Sequence, residues 1–493
     1  FSKNIISFKP NKIIWCFFIM TKNIVIHWFR KDLRLLDNPA LVLAAEQGKV
    51  LPIYILDNDN AGDHAIGAAS RCWLHHSLKS LNASLGGNLA VYKGNPLDIF
   101  KKIIAIHDVK AVYWNRCYEP WSMVRDQIIK EDLNASGIKV QSTNGSLLWE
   151  PWEIKKDDGT PYKVFTPFYR NGCLQERFPR EPLPVPANLE YYKDIDGSLS
   201  IDQIKLLPDV GWDKKFEPFW TIGEAGAQLR FQHFKDKGLS QYKDGRNLPS
   251  KPYVSRLSAH LHFGEISPNQ LWYDVKSLGD DKNIDHFCSE LGWREFSYSQ
   301  LYHNPDLPTK NLQKKFDTFP WLEDQILLNA WKTGQTGVPM VDAGMRELWQ
   351  SGYMHNRVRM IVGSFLIKNL CQHWHHGERW FWDTLVDADL ANNSASWQWV
   401  AGCGADAAPY FRIFNPVKQG QKFDPEGKYV RQFIPEISSL PDKYLFNPWE
   451  APEHILKDSG VKLGVDYPKP VINLKDSRNA ALEAFQSLKQ DIS

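Results

Sequence analysis

Cysteine is sparse in this 493-residue chain and shows no pairing pattern: the seven stand at 16, 72, 117, 173, 288, 371 and 403, with no Cys-x-x-Cys. That argues against a disulfide framework and a zinc site, and a reducing cytosol is the expected compartment. Charge of one sign is not in surplus either, with 59 Lys and Arg against 57 Asp and Glu, a net of +2. Any nucleic-acid footprint must therefore be local. No apolar run approaches the roughly 20 residues of a membrane span. IIWCFFIM (13–20) follows Lys3, Lys9 and Lys12 as a short signal peptide would, but Thr21 and Lys22 follow at once, without a small-residue cleavage site. Because the chain begins with Phe, Met20 is the expected natural start and 1–19 an upstream or non-native extension. GxGxxG, GxSxG, GxxxxGK[ST] and HExxH are missing, and with them the textual signs of an NAD site, a serine hydrolase, a P-loop and a zinc protease.

Tryptophan is abundant, with 20 copies, and large indoles in that number suggest aromatic packing or aromatic chemistry. At roughly 150 residues per domain the length suggests two or three domains. NIVIHWF (23–29), VLPIYIL (50–56), LAVYKG (89–94), KAVYWN (110–115) and IKVQST (138–143) read as strands, with helical spacing over 39–47, 70–85, 96–107 and 122–136. That alternation predicts a doubly wound, five-stranded parallel sheet, Rossmann-like, over 20–150. Nine prolines in 151–222 predict an extended linker over the surface, placed at 151–224. Over 225–493 helical spacing dominates (224–237, 268–278, 283–302, 323–333, 339–351, 354–372, 376–385), predicting an all-α domain. That domain holds 11 of the Trp and a balanced 31 basic and 31 acidic residues.

Four strings could carry chemistry. In SRLSAHLHFGEISP (255–268), Ser255 or Ser258 can cap a helix or hold a phosphate oxygen, and an ordinary cap is the commoner case. ELGWREF (290–296) sets Glu290, Trp293 and Arg294 on one helix face, suited to a flat heterocycle, although an intrahelical Glu–Arg pair beside a packed Trp is the plainer explanation. MHNRVRM (354–360) puts Asn356, Arg359 and Met360 on one face with Arg357 turned away; Met at this spacing is usually packing. DADLANNSASWQW (387–399) runs two carboxylates and two amides into Trp397 and Trp399. It has too few oxygen ligands for a hard metal and fits an amide-lined pocket better, so no metal is expected. His373, His375 and His376 read as a surface or interface feature.

In this order, together with HWFRKDLRLLDNPAL (27–41), TGVPMVDAGMRELWQSGYMHNRVRM (336–360) and DADLANNSASWQWVAGCGADAAPYFRIFNP (387–416), these strings strongly resemble the DNA photolyase/cryptochrome family, most like its class I cyclobutane pyrimidine dimer photolyases. The resemblance runs from about Asn23 to about Ala484. It implies an α/β antenna domain, a linker and a helical FAD-binding domain. It places Tyr242, Ser255, Arg256, Leu257 and Ser258 at the FAD phosphates. Asn356, Arg359, Asp387, Asp389 and Asn393 fall around the flavin ring, with Arg359 paired to Asp387 and Asn393 opposite the reactive nitrogen. Val254 departs from the Thr often found there. Glu290, Trp293, Met360 and Trp399, with Asn356 and Asn393, would form the lesion site. Trp397, Trp374 and Trp321 would relay electrons, and Arg246, Arg294, Arg357, Arg412 and Lys422 would face UV-damaged DNA, single- or double-stranded.

Within the family, Asn356 and Met360 stand where (6-4) enzymes place a His pair, so the cyclobutane dimer is the expected substrate. Asn393 is photolyase-like where plant cryptochromes commonly carry Asp. A cryptochrome-type blue-light receptor or a (6-4) photolyase is the alternative, and an electron-transfer flavoprotein finds no support. An antenna such as methenyltetrahydrofolate, a deazaflavin or a flavin, or an empty pocket, stays open, since NRCYEPWSM (115–123) departs from the folate-binding arrangement. A monomer needing no protein partner or membrane is expected.

Overall fold

The computed structural model describes residues 23–176, 178–193, 197–410 and 412–490; the extension 1–19 and Met20 lie outside them. The strands are β1 (Ile24–Phe29), β2 (Lys49–Leu56), β3 (Ala90–Lys93), β4 (Val109–Asn115) and β5 (Lys139–Thr143), all parallel in the order β3-β2-β1-β4-β5. Four helices alternate with them: α1 (Pro39–Gln47), α2 (Ala68–Ser84), α3 (Pro96–Ile106) and α4 (Pro120–Ala135). Local chemistry sets three of their starts. Proline opens α1, α3 and α4, where its missing N–H is no loss, and the Asn38 and Asn95 side chains accept from the backbone N–H of Leu41 and Leu97. Alternate residues of β1 divide between the faces. Val25 and Phe29 pack toward Leu41, Ala44 and Trp73, while Ile26 and Trp28 pack toward Phe100, Ile103 and Ile129. Both faces are buried, which is why the strands read as apolar runs.

The helical half contains α5 (Glu224–Lys237), α6 (Ser258–His262), α7 (Pro268–Lys276), α8 (Lys282–His303), α9 (Gln325–Lys332), α10 (Pro339–Ser351), α11 (Asn356–Ser364), α12 (Trp374–Thr384) and α13 (Leu390–Ala401). The single helix expected over 354–372 is shorter: after Ser364 the chain widens into a π-helical stretch, Phe365–Asn369. No helix among the described residues is long and apolar enough to cross a membrane.

The segment 151–224 corrects the expectation of a surface linker. Its prolines do keep helices short, but Phe165, Phe168, Tyr169 and Cys173 are buried with Phe231 and Leu291, and Ile204, Leu206, Phe216 and Trp220 with Trp73 and Leu74. Its aromatic and aliphatic content made burial more favourable than exposure, at roughly 25 cal/mol per Å².

The loop after β1 holds the two halves together. Leu33 N donates to Phe263 O at 3.1 Å, Arg34 Nη1 to Gly264 O at 2.9 Å, and the Leu35 and Leu36 amides to the Glu224 carboxylate, each at 2.9 Å. Buried Asp37 accepts from Ser267 Oγ at 2.5 Å and pairs with Arg180 at 2.7 Å. Gly264 has φ +66°, and a Cβ there would lie 2.0 Å from Lys31 O. Gly264→Ala is therefore expected to destabilise the chain by at least about 1–3 kcal/mol, lowering Tm by several degrees in a thermal melt. An unchanged melt would remove this contact from the docking account.

Candidate functional site

A cavity of about 580 Å³ opens in the helical half, within the roughly 300–1,000 Å³ range of ligand sites. It is lined from α6, α8, α11 and α13 and the segments between them. Tyr242, Ser255, Leu257, Ser258, Glu290, Trp293, Asn356, Arg359, Met360, Asp387, Asp389, Asn393, Trp397 and Trp399 all reach it, from strings nearly 160 residues apart in sequence.

The polar wall is built first by α13. Asp389 is its N-cap, its Oδ1 accepting from the Asn392 N–H at 2.9 Å. The other oxygen accepts from Tyr298 Oη at 2.5 Å and lies 3.8 Å from His262 Nδ1. Burial opposes its charge, but the neighbouring His262 ring and the cations Lys31 and Arg294 hold the carboxyl well below the usual carboxylate range. Asp387 is fixed as the resemblance implied: Arg359 Nη2 lies 2.8 Å from its Oδ2, and Ser258 Oγ donates to the same oxygen at 2.5 Å. One turn into α13, Asn393 Nδ2 donates to Glu378 O at 3.1 Å, which orients the amide in the cavity wall.

Neither serine caps α6. Leu257 is the cap residue and no side chain caps it, because the chain approaches through a left-handed turn at Arg256, φ +54°. That turn also carries the Arg256 side chain away from the cavity, where its guanidinium lies 4.8 Å from the Trp220 ring and 4.6 Å from the Tyr353 ring. The expectation that Arg256 faces phosphate is corrected for its side chain. The neighbours fit a dinucleotide: the lining combines the Ser255 and Ser258 hydroxyls and Tyr242 with carboxylate, guanidinium and amide groups and Trp397. These are the partners a diphosphate and a flat heterocycle with hydrogen-bonding edges require.

Glu290 does not pair with Arg294. It takes Arg246 in a two-pronged ion pair, Arg246 Nη2 to Glu290 Oε2 at 2.7 Å, so two residues assigned separately form one unit. Arg294 is turned inward, 3.1 Å from Glu295 and over the Tyr298 ring, rather than toward a DNA surface. Buried Glu295 draws it there; burial pushes that carboxyl up to about 7 against Arg294 and the Trp149 and Leu148 amides. Trp293 stacks on Phe165, ring centres 3.9 Å apart and 11° from parallel. Phe165 and Asn247, whose Oδ1 accepts from Arg357 Nη2 at 2.5 Å, are cavity partners that sequence reasoning missed. An aromatic-rich run, VFTPFY, inside a proline-dense segment was the available sign. Arg357 and Lys422 both lie near the Phe423 ring, 4.5 and 5.2 Å from its centre; Lys422 and Arg412 are exposed.

Trp397 is buried at the cavity and pressed against glycine: a Cβ at Gly377 would lie 2.1 Å from its ring and one at Gly363 within 3.6 Å. Trp374, on the same helix as Gly377, is fully buried and donates its Nε1 to Asn311 Oδ1 at 2.9 Å. Trp321 is partly exposed. The three histidines expected at a surface or interface are partly exposed, and His373 packs 5.6 Å from the Trp374 ring and 5.2 Å from Trp321.

Residues 287–487 match the model of the FAD binding domain of DNA photolyase, and 25–187 that of DNA photolyase. The chain is 47% identical over 476 residues to the deoxyribodipyrimidine photo-lyase of Agrobacterium fabrum, covering 94% of this chain and 98% of that protein. It is 36% identical to cryptochrome-2 of Arabidopsis thaliana, covering 96% and 80%. Among solved structures, a bacterial class III photolyase from Agrobacterium tumefaciens superposes with a TM-score of 0.92 at 46% identity, covering 95% and 98%. That relative is of a different class from the one the sequence strings favoured.

Behind Asn393, the carboxyl of Glu378 accepts from Ser394 Oγ at 2.6 Å, and burial pushes it up to about 7, opposed by that hydrogen bond and by Arg379. Its folded value exceeds the unfolded one of about 4.3, so its stabilising contribution is complete below that pH and lost as pH rises toward 7. Glu378→Gln should remove that loss. Denaturant melts at pH 5 and pH 8 should show the variant gaining on the parent by up to about 3 kcal/mol at the higher pH. An equal difference at both values would refute the assignment.

Proposed function

Because the chain belongs to the DNA photolyase/cryptochrome family, we propose that it uses blue light to split cyclobutane pyrimidine dimers in DNA, with FAD held in the helical half and residues 20–150 as an antenna domain. One observation supports this reading most: a single cavity gathers flat aromatic walls, Trp293 and Trp399, with Glu290 and Met360, beside the buried amide and carboxylate set of Asn393, Asp387 and Asp389.

Bound and fully reduced, FAD supplies the photoexcited electron that opens the cyclobutane ring. Everything else falls to the chain. Ser255, Ser258 and Tyr242 would hold the diphosphate, and the Arg359–Asp387 pair the heterocycle's edge. Asn393, its amide committed to the Glu378 carbonyl, presents a fixed hydrogen-bonding group to the flavin. Photolyases belong to the enzymes that take a base out of the stack, and a damaged pair costs less to open. Trp293, backed by Phe165, and Trp399 offer planes on which an extruded dimer stacks. Glu290, aimed by its two-pronged contact with Arg246, accepts a hydrogen bond from its edge. Arg357 and Lys422, both beside Phe423, meet phosphate at the rim. Trp397, Trp374 and Trp321 restore the reduced state by passing electrons inward. Asn356 and Met360 offer no acid to a (6-4) lesion, which favours the cyclobutane substrate.

Blue light on flavin-loaded, pre-reduced protein with a dimer-containing oligothymidine should restore thymine absorbance, with none in the dark. Trp293→Ala should weaken dimer binding about tenfold, as expected for one lost base stack. Lys422→Ala should reduce the slope of log affinity against log salt by about one. Absence of repair with normal flavin photoreduction would replace the enzyme with a cryptochrome-type receptor.

A further inference from the structure

Two of the three indoles assigned to electron relay, Trp374 and Trp321, pack against the same histidine. His373 lies 5.6 Å from Trp374, 27° from parallel, and 5.2 Å from Trp321, edge to face. We propose that His373 is a positioning residue of this relay: an uncharged spacer whose neutrality lets an electron hole come to rest on Trp321. The inference rests on the relay reading given above.

Neutrality follows from the backbone. His373 is the N-cap of α12, and its Nδ1 accepts from the His375 N–H at 3.1 Å. An accepting Nδ1 cannot carry a proton, so the single ring hydrogen sits on Nε2. Protonating the ring would aim two N–H groups at each other and forfeit the cap. Burial lowers the imidazole to about 4, helped by His376 and Arg379. The charged and titratable groups nearby offer no counter-charge. From its own helix they are His375, His376 and Arg379; Glu323 and Lys332 act on His376 instead. Among the described residues no carboxylate pairs with His373.

The electron balance needs no proton from this ring. Trp397 gives one electron to the light-excited oxidised flavin, Trp374 refills Trp397, Trp321 refills Trp374, and a thiol in solution refills Trp321. An imidazolium nearly equidistant from both outer indoles would disfavour a hole on each of them relative to Trp397. The hole would then stay inside and recombine. By Coulomb's law at an effective dielectric of about 20, one unit charge about 5 Å away shifts such a population on the order of a hundredfold, and partial exposure reduces this to roughly tenfold.

The test uses the full chain loaded with oxidised FAD. His373→Asn keeps a capping oxygen and no charge, His373→Asp keeps the cap and adds an anion, and His373→Arg stacks a permanent cation. Flash photolysis should give a long-lived Trp321 radical in the parent, the Asn and the Asp proteins, and a tenfold or larger loss in the Arg protein. As pH falls toward 4 the parent should lose yield and the Asn protein should not. Independently of any light reaction, a ¹⁵N-histidine NMR titration should show the His373 ring neutral, with its proton on Nε2, at pH 7. Equal radical yield in the Arg and Asn proteins, or a cationic ring at pH 7, would overturn the proposal. Trp321→Phe and Trp374→Phe separate the two layers. If both leave photoreduction intact, the relay reading itself fails; if they abolish it while the Arg protein stays normal, only the role of His373 fails.

Discussion

Asp389 is a carboxylate kept ionised where burial would neutralise it, and α13 begins on it. Lys31, from the loop that docks the α/β half, is one of the cations that hold its charge, with Arg294 from α8 and the His262 ring from α6 beside it. The carboxylate caps the helix that carries Asn393, Trp397 and Trp399, so the position of the cavity wall depends on a charge stabilised from the other half of the molecule. Removing one member of such a buried set leaves the others uncompensated, a cost usually larger than the pair's own contribution. The docking loop, the cap and the cavity are in this sense one structure.

Much of the fold was legible because its signals are local. β-branched runs separated by helical spacing mark the five strands within a residue or two, and Asn-Pro at 38–39 and 95–96 announces helix starts directly. A sheet buried on both faces needs no alternation, so the apolar runs were sufficient. Parallel order followed from the helices between strands. What local reading could not see was where the 151–224 segment goes. Proline density reports the absence of helix but not exposure, and Phe165 or Trp220 is apolar enough to enter either core.

The site was legible as a set of strings and less so as a set of pairs. Spacing on α8 correctly put Glu290 and Trp293 on one face, yet the partner of Glu290 came from Arg246, 44 residues earlier. Arg294 was misplaced because helical spacing cannot tell an outward cation from one drawn in by a buried Glu295. Arg256 was misplaced because a string match carries no backbone angle. Ion pairing across elements and left-handed turns are tertiary facts, and that is where the reading along the chain stopped.

Gly377 presses backbone against the Trp397 ring, closer than any side chain would allow. Backbone held inside a helix has no rotamer to switch when the charge of the indole beside it changes. On that edge the surroundings of the inner tryptophan are stiff. That stiffness is a kinetic property, set by a residue that has no side chain at all.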